Sequence, residues 1–170
     1  YTMVADVLWD ELTAAEHQAL EEAFDPQIDG YLNHFEEQHW AVFNGNNWTP
    51  VLAEGALYWA ITYYHEDPRA PEVAKLALYS MGLHRDAYLA DGVYYEGLLM
   101  YSQVSFDPVM QVARIAKSSF GYDLAAMHWD RMGDFADWAM AFMATDGYTV
   151  DFSDSWRKKG WGTFMPLLAH

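Results

Sequence analysis

The chain has 170 residues, 52% hydrophobic and 17% aromatic, a length and composition that fit one globular domain and exclude disorder. Nine Lys plus Arg against 25 Asp plus Glu give a net charge of −16, a field that repels nucleic acid and anionic membranes. Without cysteine there is no disulfide or thiol chemistry, and no apolar run reaches the ~18 residues of a membrane span. The first residue is Tyr1 and the last segment, Met165 to His170, is apolar with no closing signal, so the chain reads as part of a longer protein.

Periodicity is helical nearly throughout. Thr13-Ala14-Ala15-Glu16 is a capping box with Leu12 as staple, predicting a helix to about Phe24. Asp25-Pro26 restarts the chain with proline in a first turn, and Ile28, Tyr31, Leu32 and Phe35 form one apolar face. His39 to Asn47 reads as a loop. Thr49-Pro50 starts a helix whose Val51–Tyr64 stretch is apolar around nearly its whole circumference, which predicts a central position. Pro68 and Pro71 punctuate the next connection, and Val73, Leu76, Ala77, Ser80, Leu83 and Ala87 mark a helix ending near Tyr88.

Leu98 to Ser105 gives a helical turn or two, Asp107-Pro108 is a second cap-plus-proline restart, and Gly121 closes the segment that follows. Leu124, His128, Met132, Phe135, Ala139 and Phe142 give the last helical stripe. Asp146-Gly147 is a turn signal, and Tyr148 to Phe152 is the one candidate strand or hairpin. Helix pairs of roughly 35–45 residues suggest an array of α-hairpins that bury their faces against neighbours.

Two polar, aromatic turns stand out, Asn44-Gly45-Asn46-Asn47-Trp48 and Asp91-Gly92-Val93-Tyr94-Tyr95-Glu96-Gly97. Chain reversals on a helical scaffold are where chemistry is usually displayed. Removing the proton beside a uronic acid carboxylate needs a base, a neutraliser for the developing enolate, and an acid for the leaving oxygen. Tyr94, Tyr95 and Tyr101 are candidates for proton transfer, and the amides of Asn46 and Asn47 for neutralisation. Each has a plain structural alternative: tyrosines as core or rim aromatics, the asparagine run as an Asx turn, Glu96 as a helix-end carboxylate.

Glu54, alone in an apolar helix, is either buried and paired or on a cleft wall. His84 and Tyr88, at i and i+4, either face one cleft or pack together. Among seven histidines, His34 and His39 at i, i+5 do not share a helical face, so a zinc site within the chain is not expected. Asp134 and Asp137 near Trp138 have a spacing compatible with a carboxylate glycosidase, and equally common on a solvated face. Tryptophans such as Trp40, Trp48 and Trp59 fit either sugar stacking or core packing.

Three motifs carry a family resemblance. Asn46-Asn47-Trp48-Thr49-Pro50-Val51 followed by Gly55, Asp91-Gly92-x-x-Tyr95-Glu96-Gly97, and Phe152-Ser153-Asp154-Ser155 resemble, in order and spacing, motifs of the heparinase II/III-like polysaccharide lyases. The resemblance covers about residues 25–156. It implies an all-α fold, an incomplete (α/α) toroid of helical hairpins spanning residues 1–170 as one domain fragment, with a β-sandwich domain following outside this chain. It also implies a periplasmic or secreted protein that cleaves uronic-acid glycans by β-elimination without a cofactor, its partner an acidic polysaccharide or oligosaccharide. Carried onto this sequence, Asn47 with Asn46 neutralises the substrate carboxylate and Tyr101, with Tyr95 in reserve, transfers the proton. Trp48, Glu96, His84 and Tyr94 complete the expected substrate contacts, with Glu96 also holding the turn or orienting a tyrosine. Trp48 stands where several relatives have histidine, and the tyrosine expected four residues after Glu96 comes one later, at Tyr101. Those departures favour the alternatives of a non-catalytic glycan-binding or structural toroid, with a toroid glycoside hydrolase using Glu54, Asp134 or Asp137 as a third possibility.

Overall fold

The computed structural model describes residues 2–97, 100–123, 130–142, 144–148, 150 and 153. The described residues form α1 (Thr2–Val7), a 3₁₀ turn (Trp9–Glu11), α2 (Ala14–Glu36), α3 (Trp40–Phe43), α4 (Trp48–Thr62), α5 (Ala70–Asp86), α6 (Met100–Phe120) and α7 (Asp130–Ala141). The expected all-α class is met: the only ladder pairing between two described residues is an isolated bridge, Tyr88 with Tyr94.

The start of α2 follows the sequence signal. Thr13 Oγ1 accepts from the Glu16 N–H at 3.3 Å while the Thr13 N–H donates to Glu16 Oε2 at 2.8 Å, so both ends of the capping box are closed. The expected restart at Asp25-Pro26 does not occur: α2 runs through Pro26 to Glu36. Asp25 is not available as a cap, because its carboxylate pairs with Arg69 from the α4–α5 connection. The carbonyl that Pro26 leaves without a helical donor belongs to exposed Glu22, where water can reach it.

Asp107-Pro108 behaves the same way, lying inside the continuous helix α6. The i−4 residue there is Val104, 44% exposed, so the freed carbonyl again faces solvent. The stretch read as a loop from His39 to Asn47 contains the short helix α3, capped by His39 Nδ1 accepting from the Ala41 N–H at 3.3 Å.

Helix α4 is central, as its apolar circumference predicts. It packs on α1, α2, α3, α5 and α6, and Ala53, Leu57, Trp59 and Ala60 on it are buried. Helix α5 returns against α4 across a connection closed by the Glu66 and Asp67 N–H groups donating to the Tyr63 carbonyl. Val73, Ala77 and Met81 enter the core from α5, Phe106, Val109 and Val112 from α6, and Phe135 and Ala139 from α7. The last helical stripe therefore forms in its described part, while Leu124 and His128 lie outside the described residues. The Asp146-Gly147 turn is present, with Ala144 N–H donating to the Tyr148 carbonyl at 2.7 Å and Val150 N–H to the Phe142 carbonyl at 2.9 Å. Phe152, Asp154 and Ser155 of the third motif lie outside the described residues.

Candidate functional site

The two turns singled out in the sequence meet. Gly45 has φ 64°, and a Cβ there would lie 2.8 Å from the Leu83 carbonyl oxygen and 2.9 Å from Ala87 Cβ, so the first turn sits flush on α5. Asn46 Oδ1 accepts from the N–H groups of Trp48 at 2.9 Å and Thr49 at 3.3 Å, capping α4 one residue earlier than the helix boundary would place its cap. Thr49 Oγ1 donates to the Ala41 carbonyl at 3.0 Å and fixes α3 to the start of α4.

In the second turn the Gly92 N–H donates to the Leu89 carbonyl at 3.0 Å, and the Leu89 N–H to the Val93 carbonyl at 2.9 Å. Gly92, at φ 81°, lies against the backbone of α7: a Cβ would come within 2.3 Å of the Phe135 nitrogen. Ser102 Oγ donates to the Gly97 carbonyl, tying the turn's exit to α6.

One carboxylate oxygen joins the two turns. Glu96 Oε2 accepts from the Asn47 N–H at 2.6 Å and from the Tyr94 hydroxyl at 2.6 Å. The Gly45 carbonyl accepts from His84 Nδ1 at 2.8 Å and also lies 3.3 Å from the Tyr94 hydroxyl. A stack of rings backs these bonds, with Tyr88 and Tyr94 nearly parallel at 4.8 Å and His84 edge-on to Tyr94 at 5.3 Å.

The predicted site residues divide by exposure. Asn46, His84 and Tyr94 are buried and hold the corner, so in this arrangement they do not face a substrate in solution. Of the two readings of His84 and Tyr88, packing is the one observed. Asn47 and Glu96 are half-buried, whereas Trp48 and Tyr95 are 53% and 48% exposed. Tyr101 is half-buried, on the face of α6 that carries Ser105 one turn further on. Ser105 Oγ donates to the Tyr101 carbonyl at 2.6 Å and also holds the Tyr94 phenol down, so the Tyr101 backbone lies near the corner. Trp40, 47% exposed, stands edge-on to Trp48 at 6.4 Å and extends the aromatic surface.

The electrostatics favour neutral groups. Burial pushes the Tyr94 phenol up, and its hydrogen bond to Glu96 pushes it further. Burial and then the Glu96 charge push Tyr95 up to about 12. Burial lowers His84 to about 4, so at neutral pH it is an uncharged imidazole whose Nδ1–H serves Gly45, while its enclosed Nε2 has no partner among the described residues. The corner thus offers phenolic protons and amides; its one imidazole is sealed. The signal missed in the sequence was the Gly45 carbonyl, a backbone acceptor to which composition gives no clue.

Glu54 is half-buried and faces Asp107 across α4 and α6, where burial and then the Asp107 charge raise its carboxyl. The sequence offered Asp107 as a helix cap and not as a partner of Glu54, and Asp134 and Asp137 are exposed on α7. The histidine pair also needs correction, because the rings of His34 and His39 touch at 4.2 Å. Helix α2 ends at Glu36, and Gln38 at φ 54° turns His39 back onto it, so helical spacing no longer governs the pair. Among the described residues no group of three or more His, Asp or Glu is placed to hold a metal ion, and no helix is long and apolar enough to cross a membrane. A cleft of about 510 Å³ between α2 and α4 lies apart from the corner and is lined by Phe24, Ile28, Tyr31, Leu52 and Trp59 among others. No family model matches the chain, and neither curated proteins nor solved structures give a significant match.

Proposed function

We propose that the corner joined by Glu96 contacts uronic-acid-containing glycans, and that the chain is the helical part of a lyase-like protein, its hairpins belonging to an (α/α) toroid. The observation that carries this reading is the Glu96 carboxylate accepting from both Tyr94 and the Asn47 N–H at 2.6 Å, which brings together turns 49 residues apart. Around that anchor Asn47, Trp48 and Tyr95 reach solvent.

The division of labour follows from the chemistry. The Asn47 amide donates to the substrate carboxylate as it gains enolate character, and the rings of Trp48 and Tyr95 stack on sugar faces. In β-elimination the proton beside the carboxylate leaves to a base, the bond to the glycosidic oxygen breaks as the double bond forms, and that oxygen takes a proton. Tyr101, with Tyr95 in reserve, transfers this proton: its phenolate takes it from the carbon, and the phenol so formed returns it to the glycosidic oxygen. Glu96 positions the turn and does not touch substrate. A periplasmic or secreted setting is part of the same proposal.

The test is the ultraviolet absorbance of unsaturated ends when the full-length protein meets uronate polymers. Absorbance should rise, and Tyr101→Phe should abolish the rise; undiminished activity in that variant removes the assignment. A second reading, glycan binding without chemistry, is favoured by the sealed His84 and the raised Tyr95 phenol, which remove two of the corner's candidate bases. Calorimetric binding of uronate oligosaccharides with no new absorbance selects it.

A further inference from the structure

A second, smaller cleft of about 170 Å³ lies where the α4–α5 connection meets α2. Glu21, Asp25, Glu66 and Asp67 line it with a single guanidinium, Arg69, and Trp59 and Tyr63 form its aromatic wall. Arg69 is committed: its Nη1 bonds Asp29 at 2.7 Å, its Nη2 bonds Asp25 and, at 2.6 Å, Asp67, and its Nε bonds Asp67 at 3.0 Å. Its guanidinium carbon also stands 5.5 Å over Trp59. No cation among the described residues pairs with the exposed carboxylates of Glu21 and Glu66.

Tyr63 is 2% exposed, and its enclosed hydroxyl has no hydrogen-bond partner among the described residues. It lines the cleft together with Glu21 and Asp25, whose charges, after burial, push its phenol up. Its ring stacks on Trp59 at 5.3 Å and takes the edge of Trp9 at 5.2 Å. Four carboxylates against one spent guanidinium, with a tryptophan face already holding a cation, form an environment that attracts positive charge. A metal ion does not fit, because these side chains are not arranged as ligands for one. The volume, about six waters' worth, is enough for an ammonium or guanidinium group on a short alkyl arm.

We propose that this cleft binds a small organic cation, a primary amine or a guanidinium, between the Glu21 and Glu66 carboxylates and the Trp59–Tyr63 wall. The site is separate from the Glu96 corner and does not depend on its function.

Isothermal titration of the purified chain with ethylammonium and with methylguanidinium at low ionic strength tests it. Saturable one-to-one binding in the millimolar range is expected for at least one of them. Because Glu21 and Glu66 are exposed, replacing both by Gln should weaken binding by about fivefold or more while leaving the fold intact. A charge-matched control, Glu11→Gln with Glu37→Gln, should leave it unchanged. Tyr63→Phe should weaken binding without changing the helical circular dichroism. The proposal is overturned by absence of saturable heat, by equal weakening in the control pair, by undiminished binding in Tyr63→Phe, or by magnesium binding where both organic cations fail.

Discussion

Replacing Glu96 by alanine removes the one acceptor shared by both turns, and its cost can be worked from the geometry. A hydrogen bond to a charged acceptor contributes about 1.5–3 kcal/mol, and a buried donor left unmet costs about 1–3 kcal/mol. The Tyr94 hydroxyl, fully buried, has the Gly45 carbonyl at 3.3 Å to fall back on, and the half-buried Asn47 N–H can find water. Both compensations pull the total toward the lower end, to about 3 kcal/mol. That is a large fraction of the roughly 5–15 kcal/mol that hold a typical domain together. Urea unfolding followed by tryptophan fluorescence should show the midpoint falling at unchanged slope, by about 1.5 M for a slope near 2 kcal/mol/M. Glu96→Gln should lie between, since its amide oxygen still accepts one bond. Tyr94→Phe combined with Glu96→Ala should cost at least about 1 kcal/mol less than the sum of the single changes. A loss below about 0.5 kcal/mol for Glu96→Ala, or strict additivity, refutes the joined-corner argument.

His84 should make stability depend on pH. Its folded value of about 4 lies below the ordinary 6.5, so the unfolded chain binds the proton first, and the contribution present above pH 6.5 is lost as pH falls toward 4, by up to about 3 kcal/mol. Subtracting the urea-unfolding profile of His84→Gln from the native one isolates this slope; parallel profiles would contradict the burial argument. Gly92→Ala should be far more costly than Gly121→Ala. Both positions have positive φ, at a cost of about 1–2 kcal/mol for alanine, but only at Gly92 does the new Cβ meet the backbone of α7; at Gly121 nothing lies within 4 Å. Equal midpoint shifts would show that the second turn does not seat α7.

Local signals were read correctly wherever the local chemistry was also the final chemistry. The Thr13–Glu16 box caps α2 through atoms three residues apart, and the apolar circumference of the 51–64 segment needed only its own side chains to announce a central helix. Both Asp-Pro restarts failed for the opposite reason. Asp25 is engaged by Arg69, 44 residues away, and Asp107 faces Glu54 across two helices, so neither aspartate caps the proline that follows it. The meeting of the two chain reversals and a Glu96 that holds its turn or orients a tyrosine were both expected, but the bond that joins the turns was not. Its local bond to the Tyr94 hydroxyl fits that role, whereas its bond to Asn47 spans 49 residues through a backbone donor that leaves no mark in the side-chain pattern. His39 misled in the same sense, because a left-handed Gln38 returns its ring to His34 outside any helical period.

The corner alternates, residue by residue, between enclosed and presented side chains, and this governs how its chemistry has to be probed. Asn46 caps α4 while Asn47 and Trp48 turn outward; Tyr94 is sealed while Tyr95 is exposed. A substitution at Asn46, His84 or Tyr94 removes a bond that seats a turn, so any loss of glycan binding that follows is a loss of shape before it is a loss of contact. Trp48→Ala and Asn47→Asp leave those bonds in place, since the Asn47 contribution to Glu96 comes from its backbone N–H rather than its amide. The two classes should therefore separate. Enclosed variants should lower the unfolding midpoint and binding together, whereas outward variants should weaken glycan binding at constant midpoint. If the outward variants bind as well as the native chain while the enclosed ones fail, the corner is a structural joint, and the recognition surface has to be sought elsewhere on the protein.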